Sequence, residues 1–248
     1  MKLIQKNKIN RTHTLCAFAL TLSFIPEMTM ANMSVYPMEL NVDQSGTAQI
    51  KVASKSDDIQ FIRVTQKKIL NPGTPQEKEA DVAAWQQEGL VVTPDKFALA
   101  AGSVRVIRLV SLMPSSKETT WRVYFEGVKQ PESLLPGEST AAAAAKLGVN
   151  VIWGALVHLA PEENRVSLQF NPRSGEVIND GTLRVPLKEI GICQSDSQCR
   201  WIKEDATIYP DTQRPLKALS TARGHQYKFR YFNWLNKSSE EADLPVVN

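Results

Sequence analysis

Cysteine and histidine are scarce, with three of each in 248 residues. No two of them stand at the spacing of a zinc site, so no metal is expected. Cys193 and Cys199 enclose five residues rather than the two of a redox motif, which sets aside oxidoreductase chemistry. No glycine-rich loop follows a strand in the way a phosphate-binding site requires. The acidic pairs Glu162-Glu163 and Glu240-Glu241 read as solvated surface. His158 lies inside an apolar run and reads as a satisfied core or interface side chain. The residues therefore name no catalytic group and no cofactor, and the chain is read as something other than an enzyme.

Long apolar runs are also missing after residue 31, so no membrane span is expected in the mature protein. What precedes that point reads as a secretory signal peptide, residues 1–31. Lys2, Lys6, Lys8 and Arg11 lead into an apolar core from Leu15 to Ile25, with Thr29 and Ala31 small enough for cleavage after Ala31. Four of the 29 basic residues and one of the 26 acidic ones lie in that leader, leaving 25 of each. A neutral mature chain gives no electrostatic support for nucleic-acid binding. Cys16 departs with the leader. Cys193 and Cys199 remain as a pair in an oxidising compartment and are expected to form a disulfide.

What the chain does contain is strand after short strand, and the expected fold class is all-β. Met33 to Val42 reads as a strand interrupted by Pro37. Ala48–Ala53, Ile59–Ile69, Leu90–Thr93 and Ser103–Leu112 alternate or are β-branched, with Gly, Pro and Asn between them. Glu77 to Gln87 reads as an irregular or helical excursion around Trp85. The stretch from Thr119 to Pro161 organises the rest. Trp121 to Val128 is one strand, and Leu147 to Val157 another. The latter alternates at first, then becomes apolar at nearly every position, as if entering a region covered on both faces. Ala141 to Ala145, before it, has helix propensity but is short. An alternating strand with an open edge can pair with a partner's strand. Pro161 to Asn164 marks a domain boundary. Beyond it, further short strands run to Trp234, with Asn179-Asp180-Gly181 as a hairpin-type turn. Lys237 to Asn248 reads as a polar, frayed tail.

Several segments together resemble the periplasmic pilus-assembly chaperones, a PapD-like family of immunoglobulin sandwiches. These are Leu90-Val91-Val92-Thr93-Pro94, Leu99, Gly102 and Val106 to Leu109. Ser54-Lys55-Ser56, Lys67 to Thr74, Arg122 to Glu126 and Val149 to Ile152 resemble more closely the alternate branch that serves class 5, or alpha-type, fimbriae. The resemblance implies two immunoglobulin-like domains around a cleft, residues 32–161 and 162–248, the first carrying the subunit-binding edge. It implies a periplasmic chaperone that lends a strand to an incomplete fimbrial subunit (major pilin or tip adhesin) and passes it to an outer-membrane usher. It implies no cofactor.

The better-known branch grips the subunit's terminal carboxylate with a basic pair at the cleft. Here those positions fall at Pro37 or Met38 and at Asn150, so that pair is absent. Arg122 is expected to supply the charge and Asn150 a neutral donor, with Lys146 or Arg63 as substitutes. Pairing around a loop near Pro136 is expected to bring Arg122 close to Asn150. The competing expectation pairs Arg122 with a local acid such as Glu126. Ala141, Ala143, Ala145, Leu147 and Val149 are expected to face the subunit. Two other classes share the same strand pattern, a fimbrial structural protein or adhesin and a secreted β-sandwich enzyme.

Overall fold

The computed structural model describes residues 32–81, 89–128, 151–195, 198–219 and 226–247. The expected signal peptide and residues 129–150 lie outside them. Among the described residues, the regular elements are strands apart from a 3-10 turn at Lys217–Leu219. The first ten are β1 (Met33–Tyr36), β2 (Glu39–Val42), β3 (Thr47–Ser54), β4 (Gln60–Leu70), β5 (Lys78–Ala80), β6 (Leu90–Thr93), β7 (Lys96–Leu99), β8 (Val104–Ser111), β9 (Thr119–Val128) and β10 (Ile152–Leu159). They build two sheets, one in the order β1-β3-β8-β6. The other runs β2-β10-β9-β4-β5, with β7 also on β4.

Alternation explains the packing. On β9, Trp121, Val123 and Phe125 point inward and are buried, while Arg122 and Tyr124 face out. They meet Ile50 and Val52 of β3, Ile62 and Val64 of β4 and Ile107 and Leu109 of β8 in one cluster. Each large aliphatic side chain buried there contributes roughly 1.5–3 kcal/mol. Gly89 adopts φ +145°, and a Cβ at that position would lie 2.7 Å from the Trp121 indole, so only glycine fits.

Seven strands follow: β11 (Leu168–Asn171), β12 (Glu176–Asn179), β13 (Val185–Ser195), β14 (Gln198–Ile208), β15 (Gln213–Pro215), β16 (Gln226–Asn233) and β17 (Ser238–Asp243). Their sheets are β11-β12-β15 and β14-β13-β16-β17. A second cluster, including Leu168, Ile190, Ile208 and Phe229, fills the space between these sheets. Cys193 and Cys199 sit opposite each other on β13 and β14 and are joined by a disulfide.

Four expectations change. The stretch after Lys237 is not frayed: Ser238–Asp243 pairs with β16, and Leu244 is buried. Its run of Ser and acidic residues disguises a strand, because one face looks to solvent. Asn179-Asp180-Gly181 does not close a hairpin, since β12 pairs with β11 and β15. Asn179 is instead a buried staple, donating to the carbonyls of Leu183 and Ile208 at 2.8 Å each. The acidic Glu77–Gln87 stretch includes β5, and residues 82–88 lie outside the described set. Finally, the apolar end of the Leu147–Val157 run is not covered throughout. Ile152 is 53% exposed, and unbroken burial starts only at Val157.

Candidate functional site

Pro37 decides the shape of the site. Residues 33–36 pair with β3 in one sheet, whereas 39–42 pair in parallel with β10 in the other. A proline between them has no N–H to give to either ladder, so the crossing falls there. Because β2 begins only at Glu39, it covers β10 from Leu156 to Leu159 and leaves Ile152 to Ala155 as an open edge among the described residues.

The open edge has a readable polarity. Leu156 N–H donates toward β2, to the Met38 carbonyl at 2.8 Å. Residues of the same parity, Ile152 and Gly154, therefore turn their backbone groups to the uncovered side, where another strand could pair. Trp153, Ala155 and Val157 point the other way in side-chain terms, into the core. Apolar surface gathers beside this edge: Tyr36 is 75% exposed, and Met38 and Val151 are also open. The Trp153 Nε1 is buried without a hydrogen-bond partner among the described residues.

The outer face of the same sheet is laid out in rows. Nearest the linker stand Ile69, Thr120, His158 and Asn41, then Lys67, Arg122, Leu156 and Glu39, then Thr65, Tyr124 and Gly154, and last Arg63, Glu126 and Ile152. The first row is covered by side chains of the second sandwich. Glu118 is buried there and accepts from the Arg184 backbone N–H at 3.0 Å, from the Arg184 guanidinium and from Trp234 Nε1 at 3.3 Å. Arg184 also reaches Asn41 at 2.5 Å and stacks on Trp234, 5.0 Å from the ring centre. His158 is fully buried between Thr120, Glu118 and Glu39, each at 3.3–3.5 Å. Burial holds its imidazole below the ordinary value, and the His158 hydrogen bond in turn lowers the Glu39 carboxyl. Tyr209 lies beside His158, its phenol pushed up to about 12 by burial.

Arg122 thus stands one row from this junction. Its guanidinium donates to Glu79 at 2.8 Å and lies 3.6 Å from Glu77. Tyr124 donates to the same Glu79 oxygen. Gly154 opposite keeps the pocket of space they fill, since a Cβ there would lie 3.1 Å from Tyr124 and 3.3 Å from Arg122. Glu126, the acid expected beside Arg122, is held by Arg63 at 2.7 Å instead. The strand register sets Arg122 against Leu156, not toward the start of β10 where Asn150 was expected to meet it. Asn150, Lys146, Ala141, Ala143, Ala145, Leu147 and Val149 lie outside the described residues. The residue types alone did not reveal Glu79, Tyr124 and the Glu118–Arg184 group. Their one signal was acidic residues beside the strand ends, which surface charge imitates.

No family model matches the chain. A CFA/I fimbrial subunit protein of Escherichia coli is 35% identical over 236 residues, 93% of this chain and 96% of its own. The crystal structure of the class 5 fimbriae chaperone CfaA superposes with a TM-score of 0.69 at 31% identity, covering 86% of this chain and 99% of that one. A chain in the structure of a chaperone–tip adhesin complex for CFA/I fimbriae biogenesis matches with the same TM-score and coverage at 30% identity.

Proposed function

The chain belongs to the class 5 fimbrial chaperones, a family of periplasmic proteins, and on that premise we propose that it binds fimbrial subunits by lending the open edge of its first sandwich. The relative that bears a subunit's name does not point elsewhere, because the two-sandwich fold is shared along 99% of the chaperone's chain. The observation that carries the proposal is the uncovered edge from Ile152 to Ala155, with Ile152, Val151 and Tyr36 exposed beside it. A subunit strand pairing there gains backbone hydrogen bonds, and apolar side chains fill its groove. The complex then passes to an outer-membrane usher. Binding and hand-over need no cofactor and no chemical step, so the protein is a binding protein rather than an enzyme.

The donor side chains are Ala141, Ala143, Ala145, Leu147 and Val149, whose odd numbering continues the inward parity of Trp153 and Ala155. Arg122 is the anchor for the subunit's carboxylate, with Asn150 as a neutral donor and Lys146 or Arg63 as its substitute. An incoming carboxylate must displace or join Glu79 to reach it. Residues 32–161 form the subunit-binding domain and 162–248 the second. Export uses residues 1–31, cleaved near Ala31.

Co-expression with candidate major pilins and tip adhesins, followed by purification, tests this reading. A soluble one-to-one complex is expected. Leu147→Asp and Val149→Asp should each abolish it by placing a charge in an apolar groove. Gly148→Asp should be mild, and Arg122→Ala should lower recovery while melting stays near wild type. If the even-numbered position proves the sensitive one, the register is wrong by one residue.

A further inference from the structure

A groove on the second sandwich carries a charge pattern that includes none of the residues of the proposed subunit-binding edge. It encloses about 550 Å3 and runs beside β14, one of the two end strands of its sheet, toward β15 and the 3-10 turn. Arg200, Lys203, Arg214 and Lys217 rim it, and Ile202 and Ala218 also line it. The acids nearby are already engaged. Glu204 accepts from the Ala218 backbone N–H at 2.9 Å, and Asp205 lies 3.0 Å from Lys203 and 3.7 Å from Lys188. Arg200 and Arg214 are exposed, and their side chains have neither an ion pair nor a hydrogen bond among the described residues. A second depression of about 380 Å3 shares Asp205 and Arg214 with the first and extends to Gly73 and Tyr209. The two depressions adjoin at Asp205 and Arg214, and cations line both.

We propose that this groove is a docking site for an extended acidic segment of a partner polypeptide. Its basic residues are spread over two adjoining depressions, Arg200, Lys203, Arg214 and Lys217 in one and Lys188 and Arg214 in the other, which suits a chain rather than a small anion that two arginine forks would hold at one point. Its concavity suits a chain rather than a lipid surface, which meets flat or protruding basic patches. The β14 bulge between Lys203 and Ala206 breaks the ladder on that edge, so recognition falls to side chains rather than to an added strand. The cations could alternatively serve only to keep the β14 edge from pairing with other molecules, and the test separates the two roles.

The test uses the mature protein and a fluorescein-labelled ten-residue peptide of alternating glutamate and serine, read by anisotropy at low and physiological salt. Saturable binding is expected, weakening as salt rises. Arg200→Glu/Arg214→Glu should lower affinity at least tenfold, whereas Lys55→Glu/Arg105→Glu on the first sandwich should change it less than twofold. Equal loss in both double variants would overturn the proposal in favour of overall charge. Unchanged peptide binding by the groove variant, with new self-association in gel filtration, would assign the cations to edge protection. Tighter binding to phosphatidylglycerol vesicles than to the peptide would replace the polypeptide with a membrane. No fimbrial protein enters the assay, so its failure leaves the chaperone reading untouched.

Discussion

At the scale of single residues, buried charge rather than surface charge fixes the junction between the sandwiches. Glu118 and Arg184 are both buried and each satisfies several partners. Deleting one member leaves the other charged and dry, which typically costs about 3–5 kcal/mol. Glu118→Ala should therefore lower the urea midpoint far more than Glu126→Ala, whose pair with Arg63 is partly exposed and weak. Acid should act through two further groups. Four side chains, Tyr231 first, donate to Glu240 and lower its carboxyl to about 2 from 4.5. A depressed carboxylate stabilises above its unfolded value, so this contribution is complete above pH 4.5 and lost as pH falls toward 2. His158, held neutral by burial below 6.5, likewise stabilises above pH 6.5 and ceases to do so as pH falls through its folded value. The melting temperature of Glu240→Gln should trail wild type at about pH 6 and converge with it as pH falls through about 2, where the wild-type carboxyl takes up its proton.

At the scale of elements, small backbone requirements decide where strands can go. Gly89→Ala should cost about 1–3 kcal/mol, because the new methyl group meets the Trp121 ring in the core. Gly102→Ala is the control: φ is +63° but nothing lies within 4 Å, so only backbone strain of about 1 kcal/mol is expected. Urea denaturation of both variants checks the difference, and equal losses would point to the backbone alone. The disulfide acts on β13 and β14 as a unit. It closes a sequence separation of 6, and loop-closure entropy gives it about 2 kcal/mol. Thiol counting on the unfolded mature protein without reductant should find none free. Reduction should lower the melting temperature, and no change on reduction would show that the β13–β14 ladder already fixes the turn.

At the scale of the whole molecule, side chains of the second sandwich cover the Thr120–His158–Asn41 row of the first, and this couples their stabilities. Calorimetry of the mature protein should show one transition. Arg184→Ala, which unlinks Glu118, Asn41 and Trp234, should split it into two. A single transition in the variant would mean that the remaining contacts, such as Lys117 with Asp211, suffice.

Much of this was legible in the sequence because it depends on local periodicity. Trp121 to Val128 read as a strand from its aromatic and β-branched residues, and β9 runs through it. The disulfide followed from a pair of cysteines and a compartment, and Pro37 marked an interrupted strand. What Pro37 could not say is that the two halves join different sheets and so uncover part of β10, since that pairing joins segments far apart in the chain. The partner of Arg122 was equally out of reach. Glu126 is near in sequence, but Glu79 arrives through β5, two strands across the sheet. Local chemistry fixes which face a side chain takes. Which of several similar acids it meets, and which edge stays open, are set by strand order, and only the folded chain contains that.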